Sequence, residues 1–123
     1  MAKFLLADDE HQIEKIVRYK LEKEGHTLDY AENGELALNM IMSDSSDYDA
    51  IILDIMMPKL DGLTLLRKIR NISKYKNIPV IMLTAKSEDY DIKAGFEDGA
   101  SEYITKPFGL SDFYLKVGRF LKC

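Results

Sequence analysis

"DAIILDIMMPKLDG", residues 49–62, holds a run of Ala, Ile, Ile and Leu that ends in a carboxylate, Asp54, with Ile55, Met56 and Met57 directly behind it. Four consecutive apolar residues flanked by acids read as a strand buried on both faces, as in a parallel sheet covered on each side by helices. An acid at the end of such a strand either turns to solvent or stays at the rim of the core, where its desolvation needs a partner or a cation. The surrounding chain has to provide the sheet, the helices and that partner.

Working outward, apolar runs at 4–7, 28–31, 50–53, 80–83 and 102–105 alternate with stretches that read as helices. The first, third and fourth runs are continuously apolar and suit buried strands, while the second and fifth mix in polar residues and suit the edges. Between them Ile13, Ile16, Val17 and Leu21 recur at helical spacing, as do Ala37, Met40 and Ile41, then Leu65, Leu66, Ile69 and Ile72, and lastly Leu110, Phe113, Val117 and Leu121. Gly25 and Gly99 stand where helix C-termini favour a residue that tolerates positive φ. The stretch 87–98 has only Ile92, Gly95 and Phe96 as an apolar stripe among acids, so it is expected to dock weakly. Alternating β and α elements with short connections predict an α/β fold, a three-layer α/β/α sandwich around a five-stranded parallel sheet. All five strand C-termini then open on one edge, where ligands of such sheets bind.

Bulk properties narrow the function. The 123 residues suit one domain, 1–123, and 46% hydrophobic with 31% charged residues describes an ordinary globular chain. A net charge of −4 gives no electrostatic case for direct nucleic-acid binding. The single cysteine, Cys123, cannot form an internal disulfide, and the N-terminal apolar run is too short for a signal peptide or a membrane span, so a cytoplasmic location is expected.

The residues ending the strands form a short list: Asp8, Asp9 and Glu10 after the first, Asp54 after the third, Thr84 and Ala85 after the fourth, Lys106 and Pro107 after the fifth. Crowded carboxylates repel one another and resist ionising unless a cation intervenes. Hard oxygen ligands in an open site point to Mg²⁺, with Asp9 and Asp54 as candidate direct ligands and Asp8 acting through water. His11 is read as an exposed residue of the first helical turn rather than a ligand, and the methionines, Met40, Met42, Met56, Met57 and Met82, mostly as core. One cation, the Lys106 amine and the Thr84 hydroxyl would together hold phosphoryl oxygens, which is most of what phosphoryl transfer asks of a protein. Asp54 is then the carboxylate nucleophile, forming an aspartyl phosphate.

"LLADDE" (5–10), "IILDIMMPKLDG" (51–62), "PVIMLTAKSE" (79–88) and "GASEYITKPF" (99–108) resemble, in order and spacing, the signature blocks of response-regulator receiver domains. The resemblance covers essentially the whole chain and implies a flavodoxin-like (βα)₅ fold with strand order 2-1-3-4-5. It implies that Asp54 is the phosphoacceptor for a histidine-kinase phosphohistidine, with Asp9, Asp54 and the Met56 carbonyl binding Mg²⁺ directly and Asp8 nearby. Thr84 and Tyr103 would be the switch residues and Lys106 the phosphate's partner, followed by a cis bond to Pro107. Gly62 would permit the tight turn after Asp61, and Ala85 would leave room for the phosphoryl group. Such a domain acts as a signalling switch in a phosphorelay. It is not an enzyme beyond catalysing its own Mg²⁺-dependent phosphorylation and slow hydrolysis.

The same resemblance places Met56 and Lys86 at the two positions that tune phosphate lifetime. Met offers no useful donor or acceptor for an attacking water and Lys is a cation suited to the phosphate itself, so slow self-dephosphorylation is expected. Output would pass through the face formed by the 87–98 helix, the fifth strand and the last helix, to a downstream protein or effector domain. A phosphorylation-dependent homodimer on that face is a further expectation. Ser101 and Glu102 stand where many DNA-binding relatives carry two Asp residues, which alters the usual dimer network; Glu102, Lys116 and Arg119 remain as its charges. Neither nucleic acid nor membrane is an expected partner of this domain. The alternative is a Mg²⁺-dependent phosphatase with an aspartyl nucleophile, but such enzymes place a second Asp two residues on, where this chain has Met56. A flavodoxin-like cofactor binder would need a phosphate-cradling loop after the first strand, and Asp8, Asp9 and Glu10 would repel a phosphate.

Overall fold

Alternation along each strand divides the core in two. In the computed structural model, which describes residues 1–85 and 99–121, β1 (Lys3–Ala7) sends Phe4 and Leu6 to one side of the sheet and Leu5 and Ala7 to the other. The same division holds in β3 (Ala50–Asp54) and β4 (Val80–Ala85), whose Ile52 and Ile81 join Phe4 while Ile51, Leu53 and Met82 join Leu5. Helices α1 (His11–Lys23) and α4 (Leu110–Gly118) cover the first side with Val17, Leu21, Phe113 and Val117. Helices α2 (Gly34–Met42) and α3 (Gly62–Arg70) cover the second with Ala37, Ile41, Leu65, Leu66 and Ile69. A 3-10 turn, Ser73–Tyr75, follows α3.

With β2 (Thr27–Ala31) and β5 (Glu102–Lys106) the sheet is five-stranded and parallel, in the order β2-β1-β3-β4-β5. The two strands with polar residues are the edges, as their composition predicts. The strand order reverses between β1 and β3, so the switch-point crevice opens beside the C-terminal ends of those two strands.

Local signals fix the element ends. Asn33 and Asp61 cap α2 and α3, accepting from Leu36 N–H at 2.8 Å and Thr64 N–H at 2.9 Å. Gly25 after α1 and Gly99 before β5 have φ of 89° and 103°. Ile16 departs from its periodicity: it is 41% exposed, because α1 buries the narrower stripe through Val17 and Leu21. Met42 and Met56 also lie at the surface rather than in the core, whereas Met57 and Met82 are buried. The stretch 87–98, Lys86 and Cys123 lie outside the described residues. No described helix is long and apolar enough to cross a membrane.

Candidate functional site

The switch-point crevice is where the strand-end acids meet. β1 ends at Ala7, whose neighbours in register are Ala31 and Leu53, and the next residue, Asp8, is anchored by its backbone: its N–H donates to the Ala31 carbonyl at 3.2 Å. Its own carbonyl accepts from the Tyr30 hydroxyl at 2.6 Å. Asp54 closes β3 opposite Leu83, and its Oδ1 accepts from the Met56 N–H at 3.2 Å. Across the crevice β5 ends in Lys106, paired in register with Ala85 and joined to Pro107 by a cis peptide bond.

Lys106 draws the acids together. Its Nζ lies 2.7 Å from Glu10 Oε1, 2.9 Å from Asp8 Oδ2 and 3.3 Å from Asp54 Oδ2. One oxygen from each of Asp8, Glu10 and Asp54 falls within 4.8 Å of the other two. Three carboxylates around one ammonium leave a formal excess of two negative charges when all are ionised. Asp8 is fully buried and Asp54 nearly so. Burial, and then the Asp8 charge, push the Asp54 carboxyl up to about 6, against the opposing pull of Lys106 and the Met56 N–H. Burial also raises Asp8, which Glu10 N–H and Lys106 partly offset. For Lys106, burial works to lower its value, but Glu10, Asp8 and Asp54 outweigh it and the ammonium is held above its ordinary range.

The donor set fits a hard divalent cation. Asp8 Oδ1 is occupied by the Glu10 N–H at 2.9 Å, whereas Asp8 Oδ2 is buried and has no hydrogen bond among the described residues, although Lys106 is near. A buried carboxylate oxygen left in that condition, beside a second carboxylate and an uncompensated negative charge, is what Mg²⁺ coordination satisfies.

The other predicted residues are distributed around this centre. Asp9 is exposed and lies outside the Asp8, Glu10 and Asp54 group. Met56 contributes its N–H to Asp54, and its side chain is 65% exposed. Thr84 is buried at the end of β4, where its hydroxyl donates to the Ala85 carbonyl at 3.2 Å rather than to a carboxylate. Tyr103 is buried on the α2 and α3 side of the sheet. Lys86 falls outside the described residues. His11 is exposed at the start of α1, 3.6 Å from Glu32.

Three contributors were not legible as such. Glu10 appeared among the strand-end residues without a role, and its carboxylate makes the shortest approach to Lys106. Tyr30 supports Asp8 through its hydroxyl, and its value is pushed up to about 12 by burial and then the Asp8 charge. Gly34 packs against the loop that carries Leu60, so closely that a Cβ there would overlap the Leu60 carbonyl oxygen. A cavity of about 570 Å³ at the opposite edge, near Tyr48, Lys74, Pro79 and Phe120, includes none of the strand-end acids in its lining.

Residues 4–117 match the family model described as response regulator receiver domain. The transcriptional regulatory protein ResD of Bacillus subtilis is 42% identical over 120 residues, covering 98% of this chain and 48% of that protein. SrrA of Staphylococcus aureus, also a transcriptional regulatory protein, is 38% identical over 118 residues, covering 96% of this chain and 47% of its own length. The chain thus spans about half the length of the curated relatives it matches. Among solved structures, the chemotaxis response regulator CheY4 of Vibrio cholerae superposes with a TM-score of 0.91 at 30% identity, covering 98% of this chain and 99% of that one. The receiver domain of the Francisella response regulator 1452 gives a TM-score of 0.85 at 34% identity, covering 98% and 96%.

Proposed function

This chain belongs to the family of response-regulator receiver domains, and from that premise we propose that it is a phosphorylation-activated switch whose acceptor is the Asp54 carboxylate. The phosphoryl group comes from the phosphohistidine of a sensor histidine kinase, and residues 1–123 act as one receiver domain. The observation that carries this reading is the convergence of Asp54, Asp8 and Lys106 at the switch point, with Lys106 Nζ 3.3 Å and 2.9 Å from the two carboxylates.

In the transfer, an Asp54 oxygen attacks phosphorus. A P–O bond forms as the P–N bond breaks, and the bonding pair leaves on the imidazole nitrogen, which departs as a neutral ring when its other nitrogen carries a proton. Attack requires Asp54 ionised, and Lys106 favours that form. Lys106 then donates to a phosphoryl oxygen, as does the Thr84 hydroxyl once it turns from the Ala85 carbonyl. Exposed Ala85 adds no bulk beside them. Mg²⁺ held by Asp8, Asp9, Asp54 and the Met56 carbonyl would neutralise the phosphoryl charge. The exposed Met56 side chain cannot orient a hydrolytic water, and Lys86 is assigned to the phosphate, so the acyl phosphate is long-lived. Replacing Met56 by Asn and Lys86 by Glu together speeds its hydrolysis.

Rotation of Thr84, with Tyr103, passes the signal to the face built on β5 and α4. Two of that face's ion pairs lie within the chain, Arg119 to Glu102 at 3.5 Å and Lys116 to Asp112 at 3.5 Å. A homodimer through this face therefore forms by exchanging such pairs, and a downstream protein or effector domain reads the change.

Intact mass after incubation with Mg²⁺ and phosphoramidate tests the chemistry. One added phosphoryl group in the parent and none in Asp54→Asn are expected; undiminished labelling of the variant refutes the assignment.

A further inference from the structure

Lys106 has three N–H donors, and three carboxylates face its nitrogen. The closest is Glu10 at 2.7 Å, which also has hydrogen-bond geometry. Glu10 differs from the other two in exposure: 58% of its side chain is open to solvent, against 0% for Asp8 and 8% for Asp54. Its backbone is fixed at the N-cap of α1 by Asp8 Oδ1, so the side chain folds back over the ammonium from an anchored base.

We propose that Glu10 is a positioning residue that holds the Lys106 ammonium at the outer side of the site, and that Lys106 must leave Glu10 to reach a phosphoryl group. The inference rests on Asp54 being the phosphoacceptor. With three carboxylates crowding its ammonium, one of them hydrogen-bonded, Lys106 moves to a phosphoryl oxygen by giving up one of these contacts. Release of Asp8 or of Asp54 leaves a carboxylate whose side chain is 0% or 8% exposed without its neighbouring positive charge, which is costly. Release of Glu10 returns an exposed carboxylate to water and costs little. Glu10 therefore yields first, and its strength as a competitor sets the rate at which Lys106 becomes available.

The test is phosphoryl uptake from phosphoramidate at saturating Mg²⁺, followed by intact mass in the parent, Glu10→Gln, Lys106→Met and the double variant. Glu10→Gln is expected to take up phosphate about 2- to 5-fold faster, the range for breaking an exposed ion pair. That gain should vanish in the Lys106→Met background. A gain of the same size there shows that Glu10 acts on the incoming anion directly and overturns the proposal, as does an unchanged rate in Glu10→Gln. Should Lys106→Met take up too little phosphate to measure, the ¹³Cε resonance of Lys106 provides the second readout. It must shift in Glu10→Gln without added phosphodonor, and an unmoved resonance overturns the proposal. Failure of the parent itself to be phosphorylated removes the Asp54 reading instead, and the resonance still reports on the Glu10 contact.

Discussion

Asp54 keeps its proton to higher pH than an ordinary aspartate because burial strips water from it and Asp8 stands beside it with like charge. Its value of about 6 in the folded chain compares with 3.8 for the unperturbed group. Between those values the folded chain holds a proton that the unfolded chain has released, so stability falls as pH rises through that window. The full difference corresponds to a ceiling of about 3 kcal/mol. Asp54→Asn removes the ionisation and leaves Lys106 paired with Asp8 and Glu10. The variant should be about 1–3 kcal/mol more stable than the parent at pH 7, with the gap closing near pH 4. Urea unfolding at the two pH values checks this, and a variant no more stable at pH 7 contradicts it. The Asp8–Asp54 pair is thus maintained at some expense to the fold.

At the scale of elements, the loop from β3 to α3 is held by close backbone approaches. Gly62 N–H donates to the Ile55 carbonyl at 2.9 Å, and a Cβ on Gly62 would overlap the Asp54 carbonyl oxygen. Lys59, in the same loop, has a φ of 70°, so the turn already holds one side-chain-bearing residue in the left-handed region. Gly62→Ala should cost about 1–3 kcal/mol, as overpacking against backbone does, and should also slow phosphoryl uptake by displacing the end of β3. Unfolding and intact-mass kinetics on the same sample check the pair. Arg70 ties the other end of α3 to two further segments. Its guanidinium donates to the Gly99 carbonyl at 3.0 and 2.7 Å, to Ile78 at 2.7 Å and to Tyr75 at 3.3 Å. Arg70→Ala should cost about 2–4 kcal/mol, as several charge-assisted bonds to partly buried carbonyls are lost together. Arg70→Lys should recover little of that, because an ammonium cannot reproduce the planar fork. Equal stability of Arg70→Lys and the parent would show that charge alone suffices.

For the whole molecule, a divalent cation held by the Asp8, Glu10 and Asp54 carboxylates would couple its binding to folding. A cation that binds only the folded chain stabilises it by mass action, about 2.7 kcal/mol at a hundred times its Kd. Mg²⁺ should therefore raise the melting temperature at pH 7, do so less below pH 6 as Asp54 protonates, and fail to do so when Asp8 and Asp54 are both replaced by Asn. A rise that persists in the double variant would place the cation elsewhere. The sequence by itself determined the order of the described strands and helices, the edge strands and which strand ends carry Asp8, Asp54, Thr84 and Lys106, because periodicity and apolar runs record how each element is buried. Its strand-end residues also named three side chains that converge, Asp8, Asp54 and Lys106, since a parallel sheet brings all strand C-termini to one edge. Tertiary structure alone decided that Glu10 rather than Asp9 joins the Asp8–Asp54–Lys106 cluster, that Gly34 meets Leu60, and that Arg70 reaches Gly99. Periodicity specifies the face a residue occupies but not where a long side chain ends, nor how closely two backbones approach. Those depend on the summed packing of elements up to ninety-six residues apart, as between Glu10 and Lys106.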